Sequence, residues 1–525
     1  MQLSNLDLAV LGIYGVCLLL IALYVSREKP GHKKNTRDYF LAGKALPWWA
    51  IGSSLIAANI SAEQIIGMSG SGYLIGLGIA TYEWTAAIAL IVVGKYFLPI
   101  YLQKNIYTMP QFLEQRYDRR VRTVLAVFWL GVYIFVNLTA VLYLGGLAVN
   151  AVTGLDMYYA MLGLVAFSLL YSLYGGLKAV ALTDIFQIVI LMVGGFCLTA
   201  IALNEISESK GVYAGFMVLW DTMPEKFDMI LAQDHPFYKD LPGLSVLLGG
   251  LWIAHFAYWG INQYITQRAL AAASLNEARK GILFAAGLKL ILPLIVVIPG
   301  IAAVKLMPGL SPADRAYPAL MQLLPSGFLG LTFAALVAAI VSSLSSMTNS
   351  ISTIFTMDLY KSVLRKDSSE RHLVFVGRTV SVVSLLIAVT VARPLLGQFS
   401  QAFQYIQEFT GFFSPGILVI FLLGFFWDKA TSLSAIVAAL ASVILSFLMK
   451  VLLPDFPFLD RMGVAFCVAL LMAVAVTQWE WRVYGGSLYH DIARLDNPAF
   501  ATTAQFNVAT LMIVLVLVAF YTTWW

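Results

Sequence analysis

Charge is scarce in this chain. Only 12% of its 525 residues are Asp, Glu, Lys or Arg, about half the ~25% usual in a soluble domain. The formal net charge of +5 is small and is spread over many loops. It marks neither an acidic nor a basic tail protein and leaves no footprint for nucleic acid. Cysteine is almost absent. Cys17, Cys197 and Cys467 lie in apolar blocks without a CxxC or CxxCH spacing, so they read as small buried apolar side chains. The five histidines form no HExxH, and no nucleophile–base pair stands out, so nothing points to a metalloenzyme or a membrane enzyme. A cleavable leader is not expected either. The apolar run from Leu8 to Tyr24 is long and lacks a basic stretch before it or an Ala-x-Ala site.

What the sequence has in abundance is apolar residues, 60% of the total, in repeated blocks of about 20. Blocks of that length are the length of membrane-crossing helices, not of the alternating strands of a membrane barrel. Spans are expected near 5–26, 48–74, 77–101, 122–149, 157–173, 179–203, 246–268, 279–303, 328–359, 372–394, 402–427, 431–452, 459–478 and 504–523. The expected fold class is thus an all-α polytopic membrane protein with about 14 transmembrane helices. Basic residues mark one side: Arg27, Lys29, Lys33, Lys34, Arg37 and Lys44, then Lys104, Arg116, Arg119, Arg120 and Arg122, then Arg279 with Lys280, then Lys361, Arg365, Lys366 and Arg371. The loop 204–245 is acidic and falls on the other side, with a short helix expected around Gly211–Val218. Both termini are then expected outside the cytoplasm. No soluble domain is expected, and Gly485–Phe500 reads as a plain connection.

Polar groups at membrane depth need a reason, because each costs several kcal/mol unpaired. They gather in five places. The first is Asn59, Ser61, Glu63 and Gln64, followed by Gly67, Gly70 and Gly72, within one span. This pattern suits an unwound helix of the kind that binds ions and substrates in secondary transporters, or else a polar helix seam. The second is Tyr82-Glu83-Trp84, a carboxylate between aromatics that suits a ring-shaped, hydroxyl-rich ligand, unless Glu83 pairs with Lys289 for structure alone. The third is His255 to Tyr264, where amides and aromatics interrupt an apolar run. The fourth is Lys289, lone in an apolar block, which either acts at depth or snorkels to the surface. The fifth is the Ser-rich stretch from Ala339 to Ser350. Its hydroxyls offer neutral hard ligands to sodium, or merely bond their own helix carbonyls. Gln404 and Gln407, beside Phe403 and Glu408, complete the polar set.

The same segments carry a family resemblance. The runs DYFLAGKALPWWAIGSSLIAANISAEQIIGMSGSGY, YSLYGGLKAV, NQYITQRALAA and AFQYIQEFTGFFSPG are similar to the sodium/solute symporters of the sodium–glucose cotransporter family, above all to its bacterial galactose-transporting branch. The likeness runs from about Thr36 to Trp427. It implies a LeuT-like fold with two inverted five-helix repeats: a leading helix and cytoplasmic loop over 1–47, a ten-helix transport core over 48–427, and three further helices over 428–525. The spans 48–74 and 246–268 would be the broken first helices of the repeats.

Carried over residue by residue, the resemblance implies sugar contacts at Gln64, Glu83, His255, Lys289 and Gln407, with Tyr258 as an inner aromatic gate beneath the sugar ring. Met68, Tyr82 and Phe403 would form an outer gate. Sodium would be held by the carbonyls of Ala57, Ile60 and Ala339 and the hydroxyls of Ser342 and Ser343. Asn59 would link the broken helix to the gate tyrosine, and Asp184 would lie on the sodium path. Where the galactose-transporting branch has Asn and Ser, this chain has His255 and Ala86, and both changes bear on hydroxyl recognition. The implied activity is sodium-coupled uptake of a glucose- or galactose-like hexose across a bacterial inner membrane by a lipid-embedded monomer, without an organic cofactor. Inositol, sialic acid or another polyol is the rival substrate, and a non-transporting sugar sensor is the rival of another class.

Overall fold

In hydrocarbon no water is available to satisfy the peptide groups, so a spanning chain must pair them within its own segments. The computed structural model describes residues 3–25, 44–104, 106, 109–174, 177–399, 401–484 and 500–525. Among them the only β pairing is an isolated bridge between Leu46 and Ala272. The rest is helical or irregular. The expected basic cluster from Arg27 to Arg37 and most of the connection 485–500 lie outside the described residues.

Nine helices among the described residues are individually long and apolar enough to cross a membrane. A tenth is made by Ala402–Thr410 and Ser414–Phe426, which bend by 46° at their junction. The other expected spans fall on Asn5–Val25, on Met157–Tyr174, and on the two segments expected to be broken. Those two are interrupted as anticipated. The first runs as Trp48–Asn59, a break at 60–62, a π-helical turn Glu63–Gly67, and Met68–Leu74. The second runs as Gly250–His255, a π-helical turn Phe256–Ile261, an extended Asn262, and Gln263–Leu270.

The helix Leu275–Leu306 is the spine against which the first broken helix lies. The approach is close because glycines meet. A Cβ on Gly52 would lie 2.6 Å from the carbonyl of Gly281, and one on Gly72 would lie 2.9 Å from that of Val297. Small residues allow such backbone contact where no hydrophobic drive exists between helices in lipid. Phe328–Thr353, the Ser-rich helix, packs on Asn5–Val25, Met157–Tyr174 and Leu177–Ile206, and also touches Trp48–Asn59.

Two expectations change. The short helix of the acidic loop is longer than anticipated and spans Val212–Thr222. Cys17 and Cys467 are exposed on outward helix faces, and Cys197 is half-buried. The reason is physical: in a membrane the outer face is apolar too, so an apolar block does not imply burial.

The acidic loop and the connection after the spine helix close over the second half of the first broken helix. Lys226 donates to the carbonyls of Tyr73 (3.2 Å) and Leu74 (2.6 Å), satisfying the end of that helix. Ser71 donates to Gln401 Oε1 (2.6 Å), Gln401 Nε2 donates to Asp240 (3.0 Å), and the Ala402 amide donates to Asp314 Oδ2 (2.8 Å). Burial pushes the Asp314 carboxyl up to about 7, against the opposing hydrogen bond from Ala402, and its Oδ1 has no partner. Because this value lies above the ordinary 3.8, the folded protein binds a proton more readily than the unfolded chain between those values. Stability is therefore expected to rise as pH falls from about 7 toward 4, the window set by that shift. Thermal unfolding of detergent-solubilised protein across this range checks it, and Asp314→Asn is expected to flatten the rise.

Candidate functional site

The break at residues 60–62 turns backbone groups away from the helix ladder. The Ser61 amide donates to Asn59 O (2.8 Å) rather than to Ala57 O, which a continuing helix would use. The π-helical turn that follows places Glu63 and Gln64 on a cavity of about 960 Å³, counting the space open to solvent at its mouth. Three widened turns line this cavity. The first supplies Glu63 and Gln64, the second Tyr258 and Trp259, and a third, Tyr133–Leu138, supplies Tyr133 and Asn137. Wide turns of this kind re-aim side chains and recur at functional sites.

At the cavity wall Lys289, Glu83, Asn59 and Gln64 form one network that extends to Tyr258 and Tyr264. Lys289, on the spine helix, donates to Glu83 Oε2 (2.5 Å) and to Asn59 Oδ1. Gln64 Nε2 donates to Glu83 Oε1 (2.6 Å). Asn59 Nδ2 donates to the Tyr258 hydroxyl (3.2 Å), which also takes a bond from Tyr264 (3.2 Å). Lys289 sits 4.7 Å over the Trp259 ring. The lysine is 1% exposed, so it does not snorkel. The structural pairing of Glu83 with Lys289 weighed from the sequence is present, and it lies on the cavity rather than behind it.

Of the expected sugar contacts, Gln64, Glu83, His255, Tyr258, Lys289 and Gln407 all line this one cavity. Of the expected outer gate, Tyr82 and Phe403 line it and meet edge to face, 5.1 Å between centroids. Met68 is buried but does not line it. Ala86 is buried outside the lining too, so its expected part in hydroxyl recognition has no geometric basis. Thr85 is the neighbour that reaches the site, through His255 Nε2 at 2.7 Å.

The expected sodium residues lie outside that lining, Ala57 and Ile60 at the end of Trp48–Asn59 and the others on the Ser-rich helix, which touches it. Ser342 donates to Asp184 Oδ1 (2.8 Å). Asp184 also takes a bond from Ser54 (3.3 Å) and faces Arg268 at 3.5 Å. The Ser343 hydroxyl is buried and has no protein partner. A helix-capping role, the alternative read from sequence, predicts a bond to its own carbonyl ladder, as Thr348 makes to Leu344 O (2.6 Å). Ser343 makes none.

Sequence reasoning gave no role to Glu63 and Asn137. Glu63 is buried, bonded by the Asn137 side chain, and its Oε1 has no partner. The signal for Glu63 was present as a second carboxylate in the polar run. Asn137 carried none, since a lone Asn in an apolar span also fits a helix seam.

A discontinuous helix at membrane depth with a polar cavity at its break is the geometry of a secondary transporter. Comparison with known proteins agrees. The profile of the sodium:solute symporter family matches residues 39–442. The chain is 51% identical over its whole length, and over 99% of the relative, to a protein of Vibrio parahaemolyticus named sodium/glucose cotransporter. It is 34% identical over 85% of its length, and 70% of the relative, to a Mus musculus protein named sodium/myo-inositol cotransporter 2. Among solved structures it resembles a substrate-bound, outward-open Na+-coupled sialic acid symporter with a TM-score of 0.76 at 22% identity, covering 91% of this chain and 98% of that one. The chain belongs to the sodium:solute symporter family and is a multi-pass membrane protein of LeuT-like fold.

Breaking a buried ion pair from one side strands the other charge and costs about 3–5 kcal/mol, whereas removing both is far milder. Glu83→Ala is therefore expected to lower the unfolding temperature in detergent strongly. Glu83→Ala combined with Lys289→Met is expected to recover most of the loss, and differential scanning measurements on the three proteins check it.

Proposed function

We propose that the protein is a sodium-coupled symporter for a glucose- or galactose-like hexose. The observation that carries this reading is the Gln64–Glu83–Lys289–Asn59 network on a cavity at the helix break, in a chain half identical to one named sodium/glucose cotransporter. A sugar offers a ring of hydroxyls that both donate and accept, with apolar C–H faces between them. Glu83 accepts from hydroxyls, Lys289 and Gln64 donate to them, and Gln407 serves as the remaining amide. The Tyr258 ring covers a C–H face from within, with Tyr82 and Phe403 above the ligand. The Glu83–Lys289 pair satisfies itself until the hydroxyls enter, so no charge is stranded in the cavity.

Sodium, a small hard cation, is held by the carbonyls of Ala57, Ile60 and Ala339 and the hydroxyls of Ser342 and Ser343. Those oxygens come from the broken helix and from the Ser-rich helix, so the ion stabilises whichever state holds the two together. Asp184, one bond away through Ser342, lies on its path. Each ligand shifts the same equilibrium between outward- and inward-facing states, and that shared shift is the coupling. An inward sodium gains about 2.3 kcal/mol per 100 mV of membrane potential. The reading includes fourteen spans in the domains 1–47, 48–427 and 428–525. It also includes a bacterial inner-membrane location with both termini outside the cytoplasm, a lipid-embedded monomer, no catalysis and no organic cofactor. The relative named for myo-inositol favours a polyol as second reading.

Uptake into proteoliposomes driven by a sodium gradient tests the reading. Hexose accumulation that requires sodium is expected, and a panel of glucose, galactose and myo-inositol ranks the substrates. Binding of sugar without accumulation would instead mark a sensor. Gln64→Ala is expected to raise the sugar concentration for half-maximal uptake about 2- to 12-fold, the range of one hydrogen bond of about 0.5–1.5 kcal/mol. Affinity unchanged from wild type would remove Gln64 from the site.

Ser343→Ala is expected to abolish sodium-driven accumulation while sugar binding persists at high ligand concentration. A methyl cannot replace an oxygen ligand, and the sugar contacts lie on other residues. Sodium titration of uptake, with sugar binding measured on the same preparation, checks this. A wild-type sodium response would eliminate Ser343 as a ligand.

A further inference from the structure

His255 is held in one protonation form. Its ring lines the cavity and is 5% exposed. Its Nε2 lies 2.7 Å from the Thr85 hydroxyl oxygen. That oxygen lies 2.6 Å from the carbonyl of Thr81, one helical turn back. A carbonyl has lone pairs and no hydrogen, so two oxygens this close need the threonine hydrogen between them. The hydroxyl is then spent as a donor toward Thr81 and can only accept from His255. The imidazole must carry its proton on Nε2, and a neutral ring so protonated offers Nδ1 solely as an acceptor. Lys289 already supplies a cation on the same cavity. The helix turn beneath is anchored in its own right, because Tyr521 donates to the Thr81 hydroxyl at 3.0 Å.

From this arrangement we infer that Thr85 is a positioning residue that locks His255 as a hydrogen-bond acceptor for one donating hydroxyl of the substrate. The inference rests on the sugar reading of the cavity and deepens it. An amide at this position can turn to donate or accept, while this ring cannot. One hydroxyl of the hexose must therefore present its hydrogen to His255. At that ring position fluorine, which cannot donate, should be no better tolerated than hydrogen.

Two measurements on the full-length protein in bilayers test the inference. The first is nitrogen-15 NMR of histidine-labelled protein, with the His255 signal among the five histidines identified by its loss in His255→Ala. The Nε2–H tautomer is expected in wild type and in Thr85→Ser, and a changed or mixed tautomer in Thr85→Val. The second is sodium-driven uptake. Thr85→Val, which keeps shape and removes the hydroxyl, is expected to raise KM for the sugar about 2- to 12-fold, the range of one hydrogen bond, with kcat largely kept. Thr85→Ser is expected to restore the wild-type value, and Thr85→Val is expected to add nothing in a His255→Ala background. In a deoxy and deoxyfluoro hexose series, one position is expected to lose equally by hydrogen and by fluorine in wild type, and that penalty should vanish in His255→Ala. An Nδ1–H signal in wild type, or the same KM rise from Thr85→Val with and without His255, would overturn the inference while the sugar reading stood. Absence of hexose uptake by wild type would overturn the sugar reading, and the lock on His255 would lose its substrate with it.

Discussion

The structure depends on a charge pair that lipid alone would not tolerate. Lys289 and Glu83 are both almost wholly buried, and each would be costly at this depth without the other. Their contact ties the spine helix Leu275–Leu306 to the helix that begins at Thr81. Asn59 and Gln64 join them from either side of the break in the first helix. At the break itself the Ser61 amide turns to Asn59 O and the Glu63 amide to the Ser61 hydroxyl, so the freed backbone donors are met locally. Three of the four network residues, Gln64, Glu83 and Lys289, are also proposed to meet the sugar, and Asn59 ties them to Tyr258.

A symporter must join two ligands without a covalent link between them. In this chain the proposed sodium oxygens and the proposed sugar contacts share one element, the broken helix. Ala57 lies near the end of its first half, Ile60 at its break and Gln64 just beyond. Asn59 sits between them and reaches both Lys289 and Tyr258. A small motion of this segment therefore reaches both sites, which is the physical content of coupling. Gln401, Ser71, Asp240 and Asp314 fasten the start of Ala402–Thr410, beside Phe403, to the second half of the broken helix and the acidic loop.

Much of this was legible in the amino-acid sequence, for identifiable reasons. Hydrocarbon makes long apolar blocks unambiguous, so the helical class and most span limits followed from composition. A polar residue in such a block is an anomaly, so Asn59, Gln64, Glu83 and Lys289 drew attention individually. Their types carried the chemistry, and the quoted runs carried the family. The sequence was a poorer guide to facing. It suggested burial for Cys17 and Cys467, which face outward, because an apolar block looks the same on either face. It suggested a cavity role for Ala86, which is buried outside the lining.

Only the tertiary structure decided which polar residues belong together. Glu83 and Lys289 are 206 positions apart, and nothing in their local patterns separates a partnered lysine from one that snorkels. The same holds for Thr85 and His255, 170 positions apart. A hydroxyl in a helix usually bonds its own backbone, and Thr85 does so. That ordinary bond becomes consequential only because a second helix brings an imidazole to the same oxygen. Residue type is written in the chain, so the sequence determined the solvent, the helices and the available chemistry. Hydrogen-bond direction depends on what stands opposite, and packing alone supplies that.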